Sequence, residues 1–178
     1  GRAIVLLGKP ATGKTTAINR LKASPPGDAI PISIAEVLPA GREQLRKHIR
    51  GTVGIENDRN LDYLESQGRL LLLVDGLNEY PDPRGIATNI SRLMPELPNT
   101  RFIVSCRTAD YDEIGGVRGC DQWEITDFDA RSQDSFLKTQ RDATRRAVHR
   151  AFRKQPELRE LCHNQFLFLI AVEMIPSL

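Results

Sequence analysis

The chain has 178 residues, of which 40% are hydrophobic and 27% are charged, and its 13 Gly and 11 Pro follow no period. These values exclude collagen-like, coiled-coil and low-complexity chains and suit one domain, or one domain with a small helical appendage. A formal net charge of +2 is too small to argue for a nucleic-acid or membrane partner. Cys106, Cys120 and Cys162 cannot all pair and lack metal-ligand spacing, so they read as thiols of a reducing compartment, which places the chain in the cytoplasm. No signal peptide opens the chain. The longest apolar stretch, residues 161–175, contains His163, Asn164, Gln165 and Glu173 and is too short to span a bilayer; it predicts a buried helical pair. The apolar run at residues 3–7 starts almost at the first residue, and the last residues carry no polar tail, so we expect a domain cut from a longer protein.

Apolar, β-branched runs predict strands at residues 3–7, 29–34, 70–74 and 102–105, with a weaker fifth at 121–125. Pro31 argues for an edge position in the second strand. The third, Leu70-Leu71-Leu72-Leu73-Val74, is continuously apolar, as a parallel strand covered on both faces should be. Helices are predicted at 14–23, 42–49, 59–67 and 84–94, with Gly51 and Gly54 separating the second from the third and Pro95 ending the fourth. After the fifth strand the chain reads as helical, at 129–154 with a break inside, then 157–162 and 165–174. Strands alternating with helices imply βαβ units, a parallel sheet and an α/β fold. We expect a sheet domain over residues 1–128 and a helical subdomain over 129–178.

Gly8-Lys9-Pro10-Ala11-Thr12-Gly13-Lys14-Thr15 fits G-x-x-x-x-G-K-[ST] at every fixed position, with a strand before it and a helix after it. Gly8 and Gly13 allow a tight turn through Pro10, Ala11 and Thr12 whose N–H groups face inward around phosphate oxygens. The helix that begins there adds its positive end. Lys14 neutralises the β- and γ-phosphates, Thr15 holds Mg²⁺, and Thr16 offers a hydroxyl to the α-phosphate. This is the strongest signal in the sequence, and it predicts nucleotide binding.

The third strand ends in Asp75, where a P-loop enzyme places its Mg²⁺ carboxylate. Gly76 occupies the position where many ATPases carry a catalytic Glu, and Glu79 lies within reach if the chain curls back towards the γ-phosphate. The fourth strand ends in Ser105-Cys106-Arg107, and Arg107 is expected to report loss of the γ-phosphate from the carboxyl end of the sheet; a surface pairing with Asp110 or Asp112 is the alternative. Cys106 reads as a core residue. No N-K-x-D or T-K-x-D segment appears, which disfavours guanine and favours ATP/ADP.

Taken in order, Gly8 to Thr15, the segment from Leu70 through Asp75-Gly76-Leu77-Asn78-Glu79, and Phe102-Ile103-Val104-Ser105-Cys106-Arg107-Thr108-Ala109-Asp110-Tyr111 resemble the NACHT branch of the STAND signalling ATPases, in a bacterial-like form. The resemblance runs over nearly the whole chain, and residues 158–170 look like the family's small helical domain. It implies a three-layer αβα sandwich with a five-stranded parallel P-loop sheet in 5-1-4-3-2 order. It implies slow ATP hydrolysis, an ADP form held closed, and an ATP form that self-associates and acts on other domains of a larger protein, in defence or stress signalling. It makes Asp75 the Mg²⁺ carboxylate, Glu79 the acid acting in hydrolysis and Arg107 the γ-phosphate sensor; a small residue such as Gly76 is a family trait. The chain departs from the pattern at Asn78, where Asp is usual, and at Gln165, where the family often places Pro against adenine.

Residues 141–154 hold Arg141, Arg145, Arg146, Arg150, Arg153 and Lys154 against one acid, Asp142, so the rest of the chain is net acidic. A solvated helix face is the plain reading; the lack of interleaved aromatics speaks against nucleic acid, and an acidic neighbouring domain or subunit would suit the stretch. His48, His149 and His163 are scattered and read as surface or helix-end residues. Two other functions use the same loop: a small-molecule phosphotransferase with the basic helix as a lid, and a scaffold that binds nucleotide without turnover.

Overall fold

A computed structural model describes residues 2–34 and 42–177. It resolves into two compact units, Gly1–Lys9 with Lys14–Glu124, and Pro10–Gly13 with Ile125–Leu178.

The first unit is built on five parallel strands: β1 (Arg2–Gly8), β2 (Ile30–Ser33), β3 (Leu70–Val74), β4 (Arg101–Arg107) and β5 (Asp121–Glu124). Their order is β2-β3-β4-β1-β5, which is the expected 5-1-4-3-2 read from the other edge. Pro31 lies on an edge strand, where its missing N–H costs no ladder bond on the open side. The pleat sorts β3 between two cores. Leu70, Leu72 and Val74 join Ala3, Val5, Leu7, Phe102 and Val104 in one, while Leu71 and Leu73 join Ile18 and Ala29 in the other. That two-sided burial is why β3 has no polar residue.

The helices of this unit are α1 (Lys14–Ala23), α2 (Arg42–Val53), α3 (Asp58–Ser66), α4 (Pro83–Glu96) and α5 (Thr108–Ile114). Ile18 of α1 packs on the Leu71 and Leu73 face. Leu45 and Ile49 of α2, Leu61 of α3, Ile90 and Leu93 of α4, and Tyr111 and Ile114 of α5 pack on the other face. Three local readings need correction. Gly51 does not end α2, which continues to Val53; Gly54, at φ 71, breaks it, because only glycine enters the left-handed region freely. Pro95 sits inside the last turn of α4, where its missing N–H forfeits one bond while Leu97 N–H still reaches Leu93 and Met94 carbonyls. Helix α5 was not expected: it is seven residues long, and only Tyr111 and Ile114, spaced three apart, mark its buried side.

The second unit contains α6 (Ala130–Leu137), α7 (Asp142–Lys154), α8 (Pro156–Leu161) and α9 (Gln165–Met174), ending in a 3₁₀ turn at Ile175–Ser177. The break expected within 129–154 falls between α6 and α7. The core gathers on Phe168, whose ring lies 5.0 Å from that of Phe128, 5.5 Å from Phe136 and 6.5 Å from Phe152 between centroids. Gln133, fully buried, donates to the carbonyls of Phe128 and Cys162 and accepts from Arg159 at 3.3 Å, so its amide is satisfied inside an apolar core. The expectation that residues 161–175 are buried is wrong. Only Phe168, Ala171 and Val172 of α9 face the core, and Phe166, Leu169 and Met174 stand exposed. Among the described residues no helix is long and apolar enough to cross a membrane. Phe168→Ala should destabilise this unit by about 3–5 kcal/mol, because three aromatic partners lose a common contact; a denaturant titration of the variant against the parent measures the shift.

Candidate phosphate-loop site

The parallel ladder fixes which chain ends meet. β4 lies between β1 and β3, with Gly8 paired to Arg107 and Val74 paired to Val104. The carboxyl ends of these adjacent strands therefore bring Gly8 and Lys9, Asp75 and Arg107 to one edge of the first unit. Ligands of open α/β sheets bind on that side.

In the loop itself Ala11 has φ 60 and Gly13 φ 96, so the chain turns through the left-handed region twice before α1 begins. Left-handed residues alternating with right-handed ones are the backbone pattern from which anion-binding nests are made. Gly13 is required on a second count: a Cβ there would lie 2.8 Å from Oε1 of Gln165, within the second unit. In that same unit Asn164 caps α9 by accepting from the N–H groups of Phe166 and Leu167, and its Nδ2 donates to the Pro10 carbonyl at 3.3 Å. Thr12 is buried, whereas Thr15 and Thr16, on the first turn of α1, are exposed.

Lys14 Nζ donates to the carbonyls of Gly8 and Lys9, each at 2.8 Å. Its side chain reaches back to the end of β1 and spends two of its three N–H groups there among the described residues. Burial lowers its pKa and the charge of Arg107 adds to that, against the pull of Cys106, Asp75 and Glu79.

Asp75 is held by a short hydrogen bond: Ser105 Oγ donates to Oδ1 at 2.6 Å, and the same hydroxyl accepts from the Gly76 N–H at 2.8 Å. One hydroxyl thus fixes both the carboxylate and the turn after it. The Asp75 carbonyl accepts from the Tyr80 hydroxyl at 3.2 Å. Oδ2 of Asp75 has no protein partner among the described residues and is available to a cation. Among those residues no group of three or more His, Cys, Asp or Glu converges on a metal position. The residues present fit Mg²⁺ all the same, since that ion takes one or two protein oxygens and fills its shell with phosphate and water. Asp75 and the Thr15 hydroxyl would be those two.

Beyond Asp75 the chain enters a 3₁₀ turn, Leu77–Glu79, through Gly76 at φ 68. A Cβ on Gly76 would come within 2.9 Å of Oε2 of Glu79, so the small residue leaves room for Glu79 to fold back over the strand end. Glu79 Oε1 faces a guanidinium nitrogen of Arg107 at 3.7 Å. Arg107 therefore pairs with Glu79 and not with Asp110 or Asp112. Asn78 Oδ1 accepts from the Arg107 N–H at 3.2 Å, tying the turn to the end of β4. An Asp at position 78 would offer the same acceptor, so the departure at Asn78 changes charge and keeps the clip. Cys106 is fully buried, and burial is the main reason its thiol pKa is raised, which leaves it an inert core residue.

Sequence reasoning named Lys14, Asp75, Glu79 and Arg107 and undervalued Ser105, which holds Asp75, and Asn78, which is bonded to the Arg107 backbone. Ser105 was visible only as a hydroxyl at a strand end, and Asn78 only as a missing charge. Gly76→Ala should cost about 1–3 kcal/mol, from the positive φ together with the displaced Glu79. Adding Glu79→Ala should recover the steric part and leave the φ cost, which a double-mutant cycle of denaturation midpoints resolves.

No family model matches the sequence, and no curated protein matches it. Among solved structures the chain is similar to a structure of Drosophila ORC bound to DNA. The similarity covers 99% of this chain and 51% of that one, with a TM-score of 0.50 and 15% sequence identity. This chain thus spans about half the length of that neighbour, and at this identity the likeness is one of fold: a five-stranded, all-parallel α/β sheet of the P-loop NTPase type.

Proposed function

We propose that this chain is an ATP-binding, slowly hydrolysing switch of the NACHT/STAND kind, acting within a larger protein whose conformation and self-association follow its ADP/ATP state. The observation that carries the reading is the Glu79–Arg107 pair, set by Gly76 and Asn78 beside an Asp75 that Ser105 holds in place. A loop that merely binds phosphate needs none of this.

The residues divide the work as follows. Lys14 exchanges its loop carbonyls for phosphate oxygens, and the loop N–H groups accept the remaining charge. Asp75 and Thr15 supply oxygens to Mg²⁺, which when bound offsets phosphate charge. Glu79, whose exposed carboxylate is shared with the Arg107 guanidinium, orients or deprotonates water. Arg107 can satisfy Glu79 or an added phosphate charge, so its pairing differs between the two nucleotide states. Because Asn78 joins the Arg107 backbone to the turn carrying Glu79, a shift of one is transmitted to the other. Such differential contact is what a switch requires.

Phosphoryl transfer to a small acceptor is the second reading. It would need an acceptor site beside the loop, and no observation favours it. Lys14→Ala should weaken ATP binding about 100-fold, the loss of a charge-assisted contact of ~3 kcal/mol, measured by calorimetry. Glu79→Gln should leave binding within about threefold and trap unhydrolysed ATP, seen by chromatography of the extracted nucleotide. In the full-length protein, a non-hydrolysable ATP analogue should raise the oligomer mass by light scattering and ADP should not; equal assembly with both would refute the switch.

A further inference from the structure

The second unit carries a groove that the nucleotide site does not use. It is lined by Arg146, His149, Arg150, Phe152, Arg153 and Arg159 and has a volume of ≈ 530 Å³. Small-molecule sites run from about 300 to 1,000 Å³. Phe152 is nearly buried, and the polar groups on offer are guanidinium and imidazole, set among the apolar stems that carry them.

The cations follow from the helix period. Arg146, Arg150 and Arg153 stand four and three residues apart on α7, with His149 beside them, and form one stripe opposite the buried Val148, with Phe152 at its border. Like charges at this spacing disfavour a helix, and no carboxylate occurs from residue 143 to residue 156 to relieve them. Several arginines elsewhere in the chain are paired. Arg46 meets Asp58, Asp62 and Glu65, and Arg145 meets Asp142 at 2.6 Å. Arg159 meets Asp134 at 2.8 Å, donates to the Ala130 carbonyl and Gln133, and lies 5.8 Å over the Phe152 ring. That anchoring makes Arg159 a rigid wall. Arg146, Arg150 and Arg153 make no ion pair or side-chain hydrogen bond among the described residues.

We propose that this groove binds a compact anion bearing several phosphate charges, at a site made of α7 and α8 residues and sharing none with the phosphate loop. Its cations are arginines without a single lysine, and the guanidinium fork matches phosphate oxygens two at a time. Each phosphate brings up to two charges and three acceptors, so a ligand small enough for the groove can satisfy three unpaired guanidiniums. An acidic peptide brings one charge per residue along an extended backbone. A nucleic-acid strand would want exposed aromatic faces for its bases, which the groove lacks.

The test uses the whole chain carrying Lys14→Ala, so that phosphate binding at the loop is suppressed and the two sites are read separately. Titration with inorganic tripolyphosphate at about 0.15 M salt, where exposed charges are screened, should give saturable one-to-one binding and shift the His149 ring resonances. Arg150→Glu with Arg153→Glu should weaken it about tenfold or more. Arg150→Lys with Arg153→Lys, which keeps charge and loses the fork, should weaken it about fivefold. Lys22→Glu, on exposed α1 surface, should change it little. Binding confined to phosphatidylcholine vesicles containing phosphatidylinositol bisphosphate, lost in the same Glu variants, would support the site and assign the phosphates to a lipid headgroup. The proposal is overturned if neither probe binds, if binding survives the Glu pair, or if poly-glutamate binds as well as tripolyphosphate.

Discussion

Everything at the candidate site depends on the parallel ladder that places β4 between β1 and β3. Seven consecutive residue pairs run from Arg2 and Arg101 to Gly8 and Arg107. Because the strands are parallel and in this register, one edge of the first unit receives the end of β1, a carboxylate and a guanidinium from three separate parts of the sequence. A slip of one residue would turn every side chain of β4 to the opposite face. Phe102, Val104 and Cys106 would then leave the main core, so hydrophobic burial enforces the geometry of the polar edge.

Around that edge, short-range contacts do the fine positioning. The Ser105 hydroxyl reads both Asp75 and the Gly76 N–H, and Asn78 ties the following turn to the Arg107 backbone. Neither contact is large alone, since a neutral hydrogen bond contributes about 1 kcal/mol net and one to a charged group about 1.5–3 kcal/mol. Together they confine Glu79 and Arg107 to neighbouring positions although both side chains are exposed. A charged pair in solvent contributes little to stability, so this arrangement is better understood as placement of chemistry than as reinforcement of the fold.

The sequence was most legible where one physical demand dominated a segment. Continuous burial made β3 unmistakable, and the combined needs of a tight turn and a helix start made Gly8 to Thr15 readable at once. It was least legible where two weak demands compete. Helix α5 shows only Tyr111 and Ile114 as its buried mark, too few for a period to emerge. Gly51 and Pro95 are breakers by propensity that tertiary packing overrules near helix ends. The apolar α9 gave a false reading of burial, because composition cannot tell a helix covered all round from one that presents half its apolar surface outward. Ser105 and Asn78 were beyond reach for a different reason: their partners lie 30 and 29 residues away, and only the strand register brings them together.

The posture of Lys14 has a thermodynamic consequence. Its ammonium already bridges the carbonyls of Gly8 and Lys9, so the loop holds its shape through an internal tether. Under the proposed function, a phosphate entering such a loop would trade one set of acceptors for another and would not have to organise a disordered chain, so little conformational entropy would be lost on that exchange. Discrimination between ligands would then rest on how well their oxygens outcompete two peptide carbonyls, which would favour a multiply charged phosphate over any singly charged anion.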